Sequence, residues 1–204
     1  MKTSGGIGTS RVEAFSDGVL AIIITLLVLE IKIPELHDPT SLEEALRALF
    51  HLMPRFIGFL LSFAFVAVFW INHHRFFTLV PRVDWALLWL NNLLLLFLCF
   101  IPFPTGFIGE NPRNPIALIL FAFAFMSAGI VFNCMWRYAH RNGLVSEQVP
   151  DELIHKAIRR GLIGPVLYFL GGMMSFVLPV LSWILYGVVP ILYGMPQRFV
   201  SKED

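Results

Sequence analysis

The stretch Arg11-Val-Glu-Ala-Phe15-Ser16-Asp17-Gly18-Val-Leu-Ala-Ile22-Ile23-Ile-Thr25-Leu26-Leu-Val-Leu29-Glu30 holds a short apolar run between acids. Gly18–Leu29 is uncharged, and Thr25 is the only polar side chain within Val19–Leu29. Twelve such residues make roughly 18 Å of helix, less than the roughly 30 Å of a bilayer's hydrocarbon core. A short span bounded by acids suits a helix surrounded by protein and water rather than by lipid. Further uncharged runs follow at Phe56–Asn72, Trp85–Gly109, Asn114–Trp136 and Gly161–Gln197. The last would reach roughly 55 Å as one helix and carries Pro179 at its middle, where a helix needs a backbone donor. It reads as two helices, 161–178 and 179–196, turning at Leu178-Pro179. The expectation is an all-α integral membrane protein: one six-helix transmembrane domain over residues 1–204.

Composition agrees. Of 204 residues, 57% are hydrophobic and 14% charged, and twenty Phe outnumber fifteen Lys and Arg. That balance departs far from a soluble domain's, and the mean hydropathy is +0.74. A net charge of +1 gives no reason to expect nucleic acid as a partner. Cys99 and Cys134 lie inside apolar runs and read as reduced, small hydrophobic residues. No cleavage site follows the first run, so that span is expected to stay in the mature protein.

Charge distribution orients the spans. With the N-terminus inside, cytoplasmic segments hold Lys2, Arg11, Arg75, Arg82, Arg137, Arg141, Lys156, Arg159, Arg160, Arg198 and Lys202. The opposite side holds Lys32, Arg47, Arg55 and Arg113, with the acids Glu35, Asp38, Glu43 and Glu44. Eleven basic residues against four satisfy the positive-inside rule and put both termini in the cytoplasm. The polar segment Arg137–Arg160 is expected to extend the fourth and fifth helices into the cytosol.

Helical spacing sets Gly18, Ile22, Thr25, Leu26 and Leu29 on one stripe of the first helix, with Gly18 permitting close helix approach. The stripe either lines a pathway, with Ile22 and Leu29 as dry constrictions, or packs against neighbours while Thr25 bonds back to its own helix. Asp17 near a helix start needs partners. Arg11, Ser16, Asp17 and His73 or His74 are expected to form a polar network clamping the first three helices, with Asn91-Asn92 also within reach. A metal or catalytic site is the rival reading. Adjacent histidines lie about 100° apart on a helix and seldom converge on one ion, and no His-x-x-x-His or Glu-x-x-His spacing includes either of them. Nucleophile elbows, phosphate-cradling loops and Cys-x-x-Cys are absent from the sequence, so neither an enzyme nor a cofactor is expected. A Thr-Val-Gly-Tyr-Gly filter is missing too; Tyr186-Gly187 and Tyr193-Gly194 read as small-residue helix packing.

Arg11-x-x-x-Phe15-Ser16-Asp17-Gly18, opening the first of six spans, resembles the signature of the transmembrane protein 175 family of potassium channels. Span count, inside termini and the cluster Trp70…His73-His74-Arg75 ending the second helix add to the likeness, which is to the prokaryotic single-repeat members. The resemblance implies a homotetrameric, potassium-selective channel in the cell membrane of a prokaryote, multi-pass, with four first helices lining the pore. It implies apolar constrictions with a hydroxyl layer between them, matched here to Ile22, Thr25 and Leu29 with Leu26 adjacent; a helix rotated by one residue would present Ile23 instead. It also implies a structural role for Phe15, Ser16, Asp17 and Gly18, and permeant K+ in place of any cofactor. Glu30, Glu35 and Asp38 at the outer mouth are expected to concentrate cations. The expected partners are other copies of the chain and the lipid bilayer; no soluble protein partner is implied. The rival function is a proton-coupled or secondary transporter in which Asp17, His73 and His74 titrate.

Overall fold

The computed structural model describes residues 7–194; Lys2, Arg198 and Lys202 of the charge count, and the end of the last expected helix, lie outside them. The chain opens with a two-residue strand, β1 (Ile7–Gly8), and then α1 (Thr9–Leu26). A tighter 3-10 turn, Leu27–Glu30, continues α1 at its C-terminal end. After a loop, α2 (Leu42–His51) precedes α3 (Met53–Leu79). The strand β2 (Arg82–Val83) pairs antiparallel with β1, Ile7 opposite Val83 and Gly8 opposite Arg82, and ties the start of α1 to the end of α3. Then follow α4 (Trp85–Phe100), α5 (Pro102–Glu110), α6 (Pro115–Arg141), α7 (Asp151–Arg160), α8 (Ile163–Met174) and α9 (Pro179–Gly194).

Four elements are long and apolar enough to cross a membrane: Thr9–Glu30, Met53–Leu79, Trp85–Glu110 and Pro115–Arg141. They coincide with the first four uncharged runs. The third is interrupted at Ile101, because Pro102 has no N–H to offer the Leu98 carbonyl, and Ile101 N donates to that carbonyl instead at 3.1 Å. Thr105 Oγ1 then donates to Ile101 O at 2.8 Å and meets Ser62 Oγ at 2.7 Å, a buried link between α5 and α3. The expected fifth and sixth spans are a hairpin of shorter helices. At twelve residues, α8 measures roughly 18 Å, below the thickness of a bilayer core. The turn between α8 and α9 falls at the expected place: Leu178 N bonds to Met174 O at 2.8 Å, and Pro179 opens α9. The segment Arg137–Arg160 is helical at both ends, as α6 runs to Arg141 and α7 begins at Asp151.

Capping residues set several boundaries. Asp84 Oδ1 accepts Leu87 N at 2.8 Å, and Asn114 Oδ1 accepts Ile116 N at 2.9 Å. The other carboxylate oxygen of Asp84 accepts the Tyr138 hydroxyl at 2.6 Å, joining α4 to α6. The core centres on α6, which packs on α4 and α8. Aromatic rings continue it through Phe65, Phe125, Tyr168 and Tyr186, with centroid spacings of 4.3, 5.2 and 5.3 Å along that order. Tyr186 donates its hydroxyl to Leu118 O at 2.9 Å, which satisfies the one polar group of a buried side chain.

Glycines let this hairpin close. The ring of Tyr186 lies where a side chain at Gly171 would begin, and Tyr193 crowds Gly164. The small residues that matter are thus on α8, facing the tyrosines, while Gly187 has ordinary space beside Leu61. Gly171→Leu should therefore destabilise the folded chain by about 1–3 kcal/mol through overpacking, whereas Gly187→Ala should leave thermal unfolding in detergent nearly unchanged.

Candidate functional site

The first helix packs on α3 and α4 and leaves its remaining face uncovered. Leu20, Ile23 and Leu27 point inward and are 3%, 2% and 0% exposed. Ile22, Leu26 and Leu29 point outward and are 60%, 44% and 69% exposed. Gly18 and Thr25 share that outer face. The stripe read from helical spacing is therefore the face the rest of the chain leaves exposed, while Ile23 is buried in the core. Gly18 serves no close approach within the chain, since nothing lies within 4 Å of a Cβ built there. Thr25 bonds back to its own helix, donating towards Ala21 O at 3.0 Å and Ile22 O at 2.8 Å. Its apolar neighbours on the stripe are nevertheless largely exposed.

Beneath this face lies the polar network. Asn91 Nδ2 on α4 donates to Ser16 Oγ on α1 at 3.0 Å, and Asn91 Oδ1 lies 2.9 Å from His73 Nε2 on α3. With the amide nitrogen committed to Ser16, the amide oxygen must accept, so His73 carries its proton on Nε2. Ser16, His73 and Asn91 are all at most 1% exposed, and one bonded line ties three helices together. Asp17 stands apart from it: its Oδ1 accepts the indole N–H of Trp70 at 2.9 Å at the protein surface. His74 stacks on Trp70, with centroids 6.4 Å apart.

The expected clamp thus divides into a buried serine–asparagine–histidine line and an exposed aspartate–tryptophan pair. Among the described residues Arg11 and His74 join neither through a hydrogen bond or ion pair, and Asn92 and Phe15 are exposed. Sequence reasoning named Asn91 as within reach of Asp17; its actual partners are Ser16 and His73, which local spacing cannot reveal. Among the described residues no group of three or more His, Cys, Asp or Glu could hold a metal.

At the C-terminal end of the first helix, Glu30 closes the 3-10 turn with its carboxylate against Gly106 of α5. Lys32 Nζ meets Glu110 Oε1 at 2.6 Å, and Arg55 Nη2 reaches the same oxygen at 3.3 Å. This three-way ion cluster, invisible to the sequence, anchors the segment after α1 to α5 and to the start of α3. Glu35 is exposed. Asp38 is turned into its own loop, accepting from Thr40 N at 2.9 Å and Thr40 Oγ1 at 2.7 Å, and these bonds hold its carboxyl below the ordinary value. Glu44 is likewise held down by the backbone N–H groups of His37 and Asp38, at 2.7 and 3.0 Å.

The sequence model described as endosomal/lysosomal potassium channel TMEM175 matches residues 11–102, which include the whole of α1 from Arg11 and the polar network. A potassium channel of Chamaesiphon minutus is 39% identical over 188 residues, covering 90% of this chain and 91% of that protein. The chain belongs to the TMEM175 family. The crystal structure of a lysosomal potassium-selective channel TMEM175 homolog from Chamaesiphon minutus matches with a TM-score of 0.80 and 38% identity, covering 91% of this chain and 96% of that one. Among the animal members, the human endosomal/lysosomal proton channel TMEM175 is 28% identical over 201 residues. This chain is covered to 95% in that match, and the human protein to 38%.

Two outcomes follow from this geometry. Asn91→Leu leaves Ser16 and His73 buried without their partner and should cost about 1–3 kcal/mol, seen as a lowered unfolding temperature of the detergent-solubilised protein. The loop around Asp38 and Glu44 has a pH dependence of definite sign. Carboxyls depressed in the folded state stabilise above their unfolded values and lose that stabilisation as pH falls. The His37, Asp38 and Thr40 amides should therefore exchange hydrogen faster, relative to intrinsic rates, as the medium is acidified below about pH 4.

Proposed function

We propose that the chain is a potassium-selective channel, assembled as a homotetramer with one α1 from each copy around a central pore. The observation that carries this reading is the uncovered face of α1, on which Ile22, Leu26 and Leu29 stand exposed around the hydroxyl of Thr25. Lipid could face a purely apolar stripe at no cost. This stripe instead carries a hydroxyl at its middle and lies between Asp17 and Glu30, a composition suited to a water-filled axis. Four copies would bring Ile22 and Leu29 into rings that restrict passage by dewetting, with Thr25 between them as a polar layer. Selectivity then rests on these rings rather than on a carbonyl cage. Ile23, buried in the protomer, lies outside the proposed pore.

Glu30 and Glu35 would supply negative potential at the outer mouth, and Asp38 would add to it while holding its own loop. Six spans with both termini cytoplasmic, α8 and α9 supplying the last two as a hairpin, make a single transmembrane domain. The chain would be a multi-pass protein of a prokaryotic cell membrane. Phe15, Ser16, Asp17 and Gly18 belong to this reading as structural residues, with Trp70, His73, His74 and Asn91 behind them and Arg11 at the inner end. The relatives named potassium channel support the choice of ion. The rival, a proton-coupled carrier, would need Asp17, His73 or His74 to exchange protons; Asp17 accepts from Trp70, His73 is bonded to Asn91, and His74 stacks on Trp70.

Reconstituted in a planar bilayer between K+ and Na+ solutions, the protein should give resolvable single-channel currents reversing near the K+ potential. Flux without resolvable unitary currents, or currents reversing at the proton potential, would favour the rival. Native mass spectrometry should find four copies of the 23.2 kDa chain. Ile22→Asn should wet the constriction, raising conductance several-fold or lowering K+ preference over Na+. Unchanged currents from that variant would remove Ile22 from the constriction.

A further inference from the structure

A half-open crevice of about 100 Å³ lies between α3, α6, α8 and α9, at the end of the bundle assigned to the cytoplasm. It is separate from the face of α1. Its walls are apolar: Phe65, Phe69, Phe125, Phe132, Pro165 and Tyr168. Its other end is polar, with Asn72 and Arg75 from α3, Asn133 from α6 and Arg160 from α7. From Phe65 to Arg75 along α3 is ten residues, roughly 15 Å.

Protein interiors close such spaces unless something fills them. The volume far exceeds what one water needs, and the phenylalanine wall gives water few partners. Hydrocarbon suits it better. The polar end asks for an anion. Arg75 makes no hydrogen bond or ion pair among the described residues. Arg160 donates to a neutral group, the Leu192 carbonyl, and lies 5.7 Å from the Tyr193 ring centroid. The nearest acids on its own helix, Asp151 and Glu152, are two turns away. Lys156 and Arg159 on the same helix add positive potential, of the kind that draws acidic lipid headgroups. A soluble anion would satisfy the arginines and leave the apolar space empty; a neutral lipid would do the reverse.

We propose that this crevice binds an acidic phospholipid of the cytoplasmic leaflet, its phosphate held by Arg75 and Arg160 and an acyl segment lying against the phenylalanine wall. The two half-buried guanidinium groups supply charge-assisted, planar recognition of phosphate oxygens. Among the described residues Arg75 has no partner to give up, which makes it the side chain through which the site is best tested.

The test compares dioctanoyl phosphatidylglycerol, dioctanoyl phosphatidylcholine and inorganic phosphate on the full-length, detergent-solubilised chain, with unfolding followed by tryptophan fluorescence. A ligand of the folded state raises the unfolding temperature in proportion to its occupancy. Phosphatidylglycerol should raise it by several degrees, and the other two by much less. Arg75→Gln should reduce the phosphatidylglycerol shift to the phosphatidylcholine level, Arg75→Lys should restore part of it, and Arg159→Gln, exposed on α7, should keep it. Equal shifts with the two lipids, a shift with phosphate as large as with phosphatidylglycerol, or an undiminished shift in Arg75→Gln would each overturn the proposal. Native mass spectrometry of the unmutated chain, incubated with vesicles of equal phosphatidylglycerol and phosphatidylcholine, needs no variant to fold. Preferential phosphatidylglycerol adducts support the site, and equal adducts refute it.

Discussion

In a bilayer, an apolar side chain gains little by turning from lipid tails to protein, so hydrophobicity alone does not decide how a helix is rotated about its axis. The rotation of α1 is instead set by polar contacts that have no alternative partner in hydrocarbon. Ser16 must face α4 to meet Asn91, and Asn91 is held in turn by His73 of α3. Asp17, about 100° further round the helix, reaches the indole of Trp70 at the surface. With those two positions anchored, Leu20, Ile23 and Leu27 fall inside the bundle, and Ile22, Leu26 and Leu29 fall outside. The proposed pore face is a consequence of that buried line of hydrogen bonds.

The rest of the bundle holds the anchor steady. The outer end of α1 is tied through Lys32 and Glu110 to α5 and through Arg55 to the start of α3. Such exposed ion pairs contribute little energy singly, but they fix where the segment after the 3-10 turn can run. At the other end the short β1–β2 pairing joins the start of α1 to the chain leaving α3. Away from α1 the chain relies on close packing. Glycines on α8 admit Tyr186 and Tyr193, and Ser182 Oγ donates to Gly171 O at 2.6 Å, linking the two helices. The crevice beside Arg75 is where this packing relaxes.

Much of the fold was legible from uncharged runs and prolines. The first four runs are the four long apolar helices, and Pro179 marks the turn of the final hairpin. Less legible were the breaks. Trp85–Gly109 reads as one run, yet Pro102 divides it, and a proline's effect depends on whether a neighbour can take over the freed carbonyl. The first hairpin helix is shorter than expected, because α8 begins only after the Gly161-Leu162 turn and ends at Met174, where the turn towards Pro179 starts. In the polar network the members Ser16, Asp17, Trp70, His73 and Asn91 were recognisable by residue type, but their pairing was not. Histidine 73 and Asn91 are eighteen residues apart and Ser16 and Asn91 seventy-five, separations that carry no periodic signal.

The sequence by itself determined that the chain is a bundle of apolar helices and that Ile22, Thr25, Leu26 and Leu29 share one face of the first helix. Those properties depend only on composition and on 3.6 residues per turn. Tertiary structure alone decided which face of α1 stays uncovered, so that Ile22 is exposed and Ile23 buried. Adjacent isoleucines are chemically identical, and only the contacts made by Ser16 and Asp17 with other helices break that symmetry.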